Sequence, residues 1–126
     1  EGGTLGDQLR QGMTAADAIS VIVQLAGALA AAHDIGIVHR DLKPHNIMLL
    51  STGRLFCKVL DFGLAKPIEE DDMTLTQAGW LVGTPAYMAP EQLVDAKPAT
   101  TQTDAWALAV IAYEALTGQR PFLGQH

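Results

Sequence analysis

At 126 residues the chain has room for one ordinary hydrophobic core, and at 48% hydrophobic residues it is too apolar to stay disordered. A formal net charge of −6 argues against a nucleic-acid binder, which presents a basic face. Cys57 is the lone cysteine, so no intrachain disulfide is possible and a reducing, cytoplasmic compartment is the natural reading. No apolar run reaches about 18 residues, so no bilayer span is expected within the chain. Glu1-Gly2-Gly3-Thr4 lacks the positive and apolar regions of a signal peptide. There is no initial Met, and Gly124-Gln125-His126 shows no helix stop, so both ends read as cuts in a longer protein. A membrane tether elsewhere in such a parent stays compatible with this reading.

Residues 1–13 are Gly-rich and polar, with Leu5, Leu9 and Met13 as apolar anchors and a short helix around Leu5 to Arg10. Thr14 and Asp17 have the spacing of a capping box. The recurrence at 19, 22, 23, 26, 29, 30 and 33 predicts a helix over 15–34, with Ser20, Gln24 and Ala31 on the opposite face and Gly36 as its stop. Gly27 costs that helix about 1 kcal/mol against Ala, and close packing against a neighbour is the expected compensation.

The stretch His39-Arg40-Asp41-Leu42-Lys43-Pro44-His45-Asn46 follows. Pro44 argues against a helix there, and the polar groups are framed by the apolar runs 35–38 and 47–50. That is how a rigid scaffold holds chemistry on a loop; the plainer alternative is a polar turn between two strands. Ile47 to Leu50 and Leu55 to Leu60 are strand-length apolar runs separated by Ser51-Thr52-Gly53-Arg54, which predicts a hairpin with a four-residue turn. The second strand runs into Asp61-Phe62-Gly63. Residues 66–82 lose all periodicity and carry the acidic run Glu69-Glu70-Asp71-Asp72, the pattern of a solvated functional loop. Residues 91–96 suit a short helix. The segment Asp104 to Leu116 is apolar nearly all round, which predicts a helix in the middle of the core, ended by Gly118. The fold class is mainly α with a small β-hairpin, α+β overall, without internal repeats.

The order His39-Arg40-Asp41, Asn46, Asp61-Phe62-Gly63, Ala89-Pro90-Glu91 resembles the catalytic half of a eukaryotic-type (Hanks-type) protein kinase, and the resemblance runs from Glu1 to Phe122. It implies that residues 1–126 are a partial kinase catalytic domain. This would be the C-lobe, with the N-lobe absent and an activation segment at about 61–91. Lys43 and the Gly83-Thr84-Pro85 run look like the serine/threonine branch, and Thr84 through Gln92 looks most like its bacterial members.

The activity so implied is ATP- and Mg²⁺-dependent phosphoryl transfer to Ser/Thr hydroxyls of a protein substrate. Asp41 would orient the acceptor hydroxyl, Lys43 would set a charge against the transferred phosphate, and Asn46 and Asp61 would hold Mg²⁺. Met48 would lie under the adenine. His39 and Phe62 would stack on the central helix, with Gly63 and Thr84 completing their motifs. Asp104 would clamp backbone N–H groups of the catalytic loop, because an unpaired buried acid is costly. Arg40 would pair with a phosphate on Thr76 or Thr74, Thr76 fitting the bacterial pattern better. Glu91 would pair with an Arg beyond His126.

Departures from the family's pattern are Ala109, where Gly is common and a crowded site is expected, and the lack of a Gly-rich loop, a strand lysine and its partner Glu. Those parts would belong to the N-lobe, supplied in cis, and the fragment alone would be inactive. The alternative is a kinase-like binding or scaffold module without phosphotransfer. A scaffold has no need of Asp41, Lys43, Asn46 and Asp61 together, which favours the enzyme.

Overall fold

A capping box opens the first helix, α1 (Leu5–Gln11): the Thr4 hydroxyl accepts from Asp7 N–H and the Asp7 carboxylate accepts from Thr4 N–H, both at 3.1 Å. The Thr4 N–H, aided by its hydroxyl, holds the Asp7 carboxyl below the usual carboxylate range. The cap is therefore intact above ordinary carboxylate pKa values and is lost as pH falls through the lowered one. The computed structural model describes residues 3–62, 85–94 and 99–122.

Helix α2 (Ala15–Asp34) starts at Thr14, whose hydroxyl accepts from Asp17 N–H at 3.1 Å; this is one arm of the expected box. It ends in a Schellman motif, with Gly36 N–H on His33 C=O at 3.0 Å, Ile37 N–H on Ala32 C=O at 2.9 Å, and Gly36 at φ +80°. The helix bounds agree with the sequence reading, but the buried face does not. Ala18, Val21, Leu25 and Leu29 face the core, while Ile19 and Val23 lie outside. Apolar residues on both sides make the periodicity ambiguous, and packing selected the stripe that also carries Gln24. Gly27 has open space around it, so the expected close neighbour is absent among the described residues. By length and hydropathy α2 also meets the criterion for a membrane span, against the expectation of none. Its inner face is nonetheless committed to α4 (Thr101–Thr117) and to the hairpin.

The hairpin pairs β1 (Ile47–Ser51) antiparallel with β2 (Leu55–Val59), in the register Ile47 with Val59 and Leu49 with Cys57. Ser51 pairs with Leu55, so the turn is Thr52-Gly53-Arg54, one residue shorter than expected, with Gly53 at φ +78°. Ile47 and Leu49 point inward. Both edges of this sheet are covered. Gly3 C=O accepts from Leu49 N–H at 2.8 Å on one side. On the other, the Gln24 amide donates to Leu55 C=O at 3.0 Å and accepts from Cys57 N–H at 2.9 Å, as a third strand would. Replacing that amide with an apolar side chain (Gln24→Leu) should cost about 1–3 kcal/mol, read as a lower urea midpoint, because both backbone groups lose their partner. An unchanged midpoint would mean that water serves the edge equally well.

Cys57 is half-buried on β2, and burial pushes its thiol up to about 11. At pH 8 its alkylation by iodoacetamide should be on the order of 10²-fold slower than that of an ordinary cysteine, rising with pH as thiolate forms. Mass spectrometry of the Cys57 peptide reads this directly.

The core joins Leu5, Val21, Leu25, Ile47, Val110 and Ile111. The short α3 (Pro90–Val94) stands where 91–96 was expected. Helix α4 begins at Thr101 and is not buried all round: Ala107, Val110, Ile111 and Ala115 face inward, whereas Tyr113 and Leu116 are about half exposed. Ala109 is exposed too, so the crowding expected there is not found. Gly118 closes the helix at φ +76°, its N–H on Glu114 C=O at 2.8 Å.

Candidate active site

Asp104 is the anchor. It sits in the first turn of α4 and is only 1% exposed. One carboxylate oxygen accepts from His39 N–H at 2.8 Å and the other from Arg40 N–H at 3.0 Å. The Nε2 of His33, at the end of α2, lies 2.8 Å from the first oxygen. A buried carboxylate with these donors is satisfied, and its charge is tied to the 39–46 loop.

The loop leaves that anchor in a costly conformation. Arg40 has φ +79°, a left-handed backbone for a side chain that gains nothing from it, worth about 1–3 kcal/mol. Asp61 has φ +58° and carries a similar cost. These are the left-handed non-glycine positions among the described residues, and both belong to the motifs read from sequence.

Hydrogen bonds then close the loop. Asp41 N–H donates to His39 Nδ1 at 3.2 Å, which makes His39 the Nε2–H tautomer, and that Nε2 donates to Leu60 C=O at 2.9 Å. Pro44 begins a single 3₁₀ turn, 44–46, where its missing N–H costs nothing. Asn46 Nδ2 donates to Asp41 C=O at 2.7 Å, and Asn46 C=O accepts from Leu60 N–H at 2.7 Å. Leu60 is thus held at both its N–H and its C=O by the loop, and Asp61 is the next residue. Asp41 and Asp61 are tied to the same Asn46, one through its own carbonyl and the other through its neighbour. Phe62 meets the His39 ring edge-on, centroids 5.1 Å apart.

The Asp41 carboxylate is half exposed, with Lys43 Nζ at 3.3 Å. Asp41 and Lys43 line a small recess with Tyr87 and Met88, from the segment that leads into α3, and with Gln92 of α3 itself. Tyr87 is buried and donates to Glu114 of α4, which Arg120 approaches at 3.5 Å. Desolvation, then that hydrogen bond, pushes the Tyr87 phenol well above its usual range, so it stays a donor.

His39, Arg40, Asp41, Lys43, Asn46, Asp61, Phe62 and Asp104 are therefore gathered in one place. Met48 is half-buried on β1, paired with Lys58 and bridged to Thr4. Glu91 is exposed in the first turn of α3. Gly63, Thr74, Thr76 and Thr84 lie outside the described residues. Sequence reading missed His33, Gln92 and the Tyr87–Glu114–Arg120 cluster. His33 occupied a position in the supposed apolar stripe, and no local signal marks any of them as a partner.

Among the described residues no three His, Cys, Asp or Glu side chains cluster as a metal site. The donors at hand are the amide oxygen of Asn46, left over once Nδ2 is used, and the exposed carboxylate of Asp61. Such hard oxygens suit Mg²⁺ that takes its other ligands from water and phosphate.

An exposed carboxylate with an ammonium beside it thus sits on a strained loop bolted to a buried helix acid. The chain belongs to the protein kinase family, whose protein kinase domain model matches residues 1–126. Its relatives include serine/threonine-protein kinase Pkn1 of Myxococcus xanthus, 50% identical over 87% of this chain and 16% of that protein. PknA of Mycobacterium tuberculosis is 45% identical over 85% of this chain and 24% of its own length. The probable kinase PknB of Corynebacterium glutamicum is 40% identical over 89% and 17%. The chain thus spans about a quarter or less of the relatives it matches.

Proposed function

We propose that this chain supplies the catalytic loop and part of the substrate platform of a protein serine/threonine kinase, as the C-lobe of a longer catalytic domain. The observation that carries the reading is the shared attachment of Asp41 and of Leu60, the residue before Asp61, to Asn46, with Lys43 beside Asp41. When bound, Mg²⁺·ATP supplies the γ-phosphoryl group and neutralises its charge. Asn46 and Asp61 would hold the metal through oxygen, Asp41 would accept the hydrogen bond of the Ser/Thr hydroxyl and aim its oxygen, and Lys43 would set its charge against the transferred phosphate.

The Gly-rich loop and strand lysine come from upstream in the parent, and residues 1–126 alone do not transfer phosphate. Phosphorylation of Thr76, or of Thr74, would supply a charge of about −1.5 to −2 for Arg40 to pair with. The cytoplasm, where ATP is plentiful, is the compartment that suits this chemistry.

The test is Mg²⁺-dependent transfer of radiolabelled γ-phosphate to serine or threonine of a protein by the full-length parent, abolished by EDTA. A parent that binds Mg²⁺·ATP yet transfers nothing to any protein, itself included, would favour the scaffold reading.

A further inference from the structure

The peptide unit between Arg40 and Asp41 is gripped at both ends. Its N–H donates to His39 Nδ1 and its C=O accepts from Gln92 Nε2, each at 3.2 Å. Gln92 lies in α3, 52 residues along the chain, just past Ala89-Pro90-Glu91. Its amide orientation is not arbitrary. Oε1 accepts from Ala89 N–H at 2.9 Å, and a backbone N–H can only donate, so the nitrogen is the atom left facing Arg40 C=O. One side chain therefore joins the end of the 85–94 segment to the peptide bond that aims Asp41.

That peptide needs holding. Asp104 fixes Arg40 N–H, so the next torsion along the chain is Arg40 ψ, which sets both the direction of its carbonyl and the placement of Asp41. Asp104 restrains the N–H groups of His39 and Arg40, but it does not reach the Arg40 carbonyl. We infer that Gln92 is a positioning residue that locks the Arg40–Asp41 peptide and makes the aim of Asp41 depend on a correctly seated 85–94 segment. The inference rests on the proposed role of Asp41 and adds a route by which the seating of the 85–94 segment reaches the reacting carboxylate.

The test uses the full-length parent and Gln92→Glu. The new carboxylate still accepts from Ala89 N–H, so α3 keeps its contact, but it cannot donate to Arg40 C=O. Expected are a fall in kcat of about tenfold, roughly the worth of a hydrogen bond replaced by repulsion, with KM for ATP and for peptide within about twofold. In an Asp41→Asn background the same substitution should cost nothing further, since there is no carboxylate left to aim. Gln92→Met, which cannot carry charge into the recess, should repeat the kcat loss. Wild-type kcat in Gln92→Glu, a change confined to KM, or a full additional loss in the Asp41→Asn background would each overturn the inference. Wild-type turnover by Asp41→Asn alone would instead remove the reading on which it rests.

Discussion

Asp41→Asn in the full-length protein should lower kcat by about 10²–10⁴-fold, the usual worth of a positioned general base, while KM for ATP stays within about twofold. The substitution is close to isosteric. The Asp41 side chain is half exposed, and its pairing with Lys43 at 3.3 Å is a surface ion pair. Losing such a pair costs less than about 1 kcal/mol, so the thermal midpoint should barely move. The Asn46 bond to Asp41 runs to the backbone carbonyl and survives the change. A turnover defect without a stability defect is thus the signature of a carboxylate that works on the acceptor hydroxyl. Turnover like that of the native protein would take Asp41 out of the mechanism.

Asp104→Ala should show the opposite signature, a loss of both stability and activity. The carboxylate is buried and receives His39 N–H, Arg40 N–H and His33 Nε2. Removing it strands those donors in the core, and breaking a buried charged network by deleting one partner costs about 3–5 kcal/mol. The denaturant midpoint should fall accordingly. Arg40 would also lose the restraint that keeps it left-handed, so activity should fall even where the variant remains folded. His33→Ala removes only one of the donors and should cost clearly less than Asp104→Ala. A melt unchanged from that of the native protein in Asp104→Ala would mean that water replaces the carboxylate, and that the loop is not anchored through it.

Much of the local structure was legible in advance because its causes lie within a few residues. Thr14, Gly36, Gly53 and Gly118 mark starts, stops and a turn through hydroxyl capping and left-handed backbone. The hairpin was off by one residue in its turn and one at the end of β2, which stops at Val59, since nothing in Ser51 says whether it pairs or bends. The choice of buried face on α2 failed for a different reason. With apolar residues on both sides, the helix has two usable stripes, and Gln24 counted as solvent-facing until a strand edge needed its amide. On α4, Tyr113 and Leu116 stand half exposed, because apolar composition records what tolerates a core and not what receives one.

The order and spacing of the motifs were enough to identify the family and to nominate Asp41, Lys43, Asn46 and Asp61, since each side chain brings its chemistry with it wherever the chain leads. How the nominated residues are held came only from the folded chain. Asp104 reaches back 65 residues to His39, His33 lies 71 residues from Asp104, and Gln92 spans 52 residues to Arg40. Capping, glycine geometry and helical period act over one or two turns. The partner of a buried carboxylate or a side-chain amide depends instead on the path of the whole chain, and no pattern near either residue encodes it.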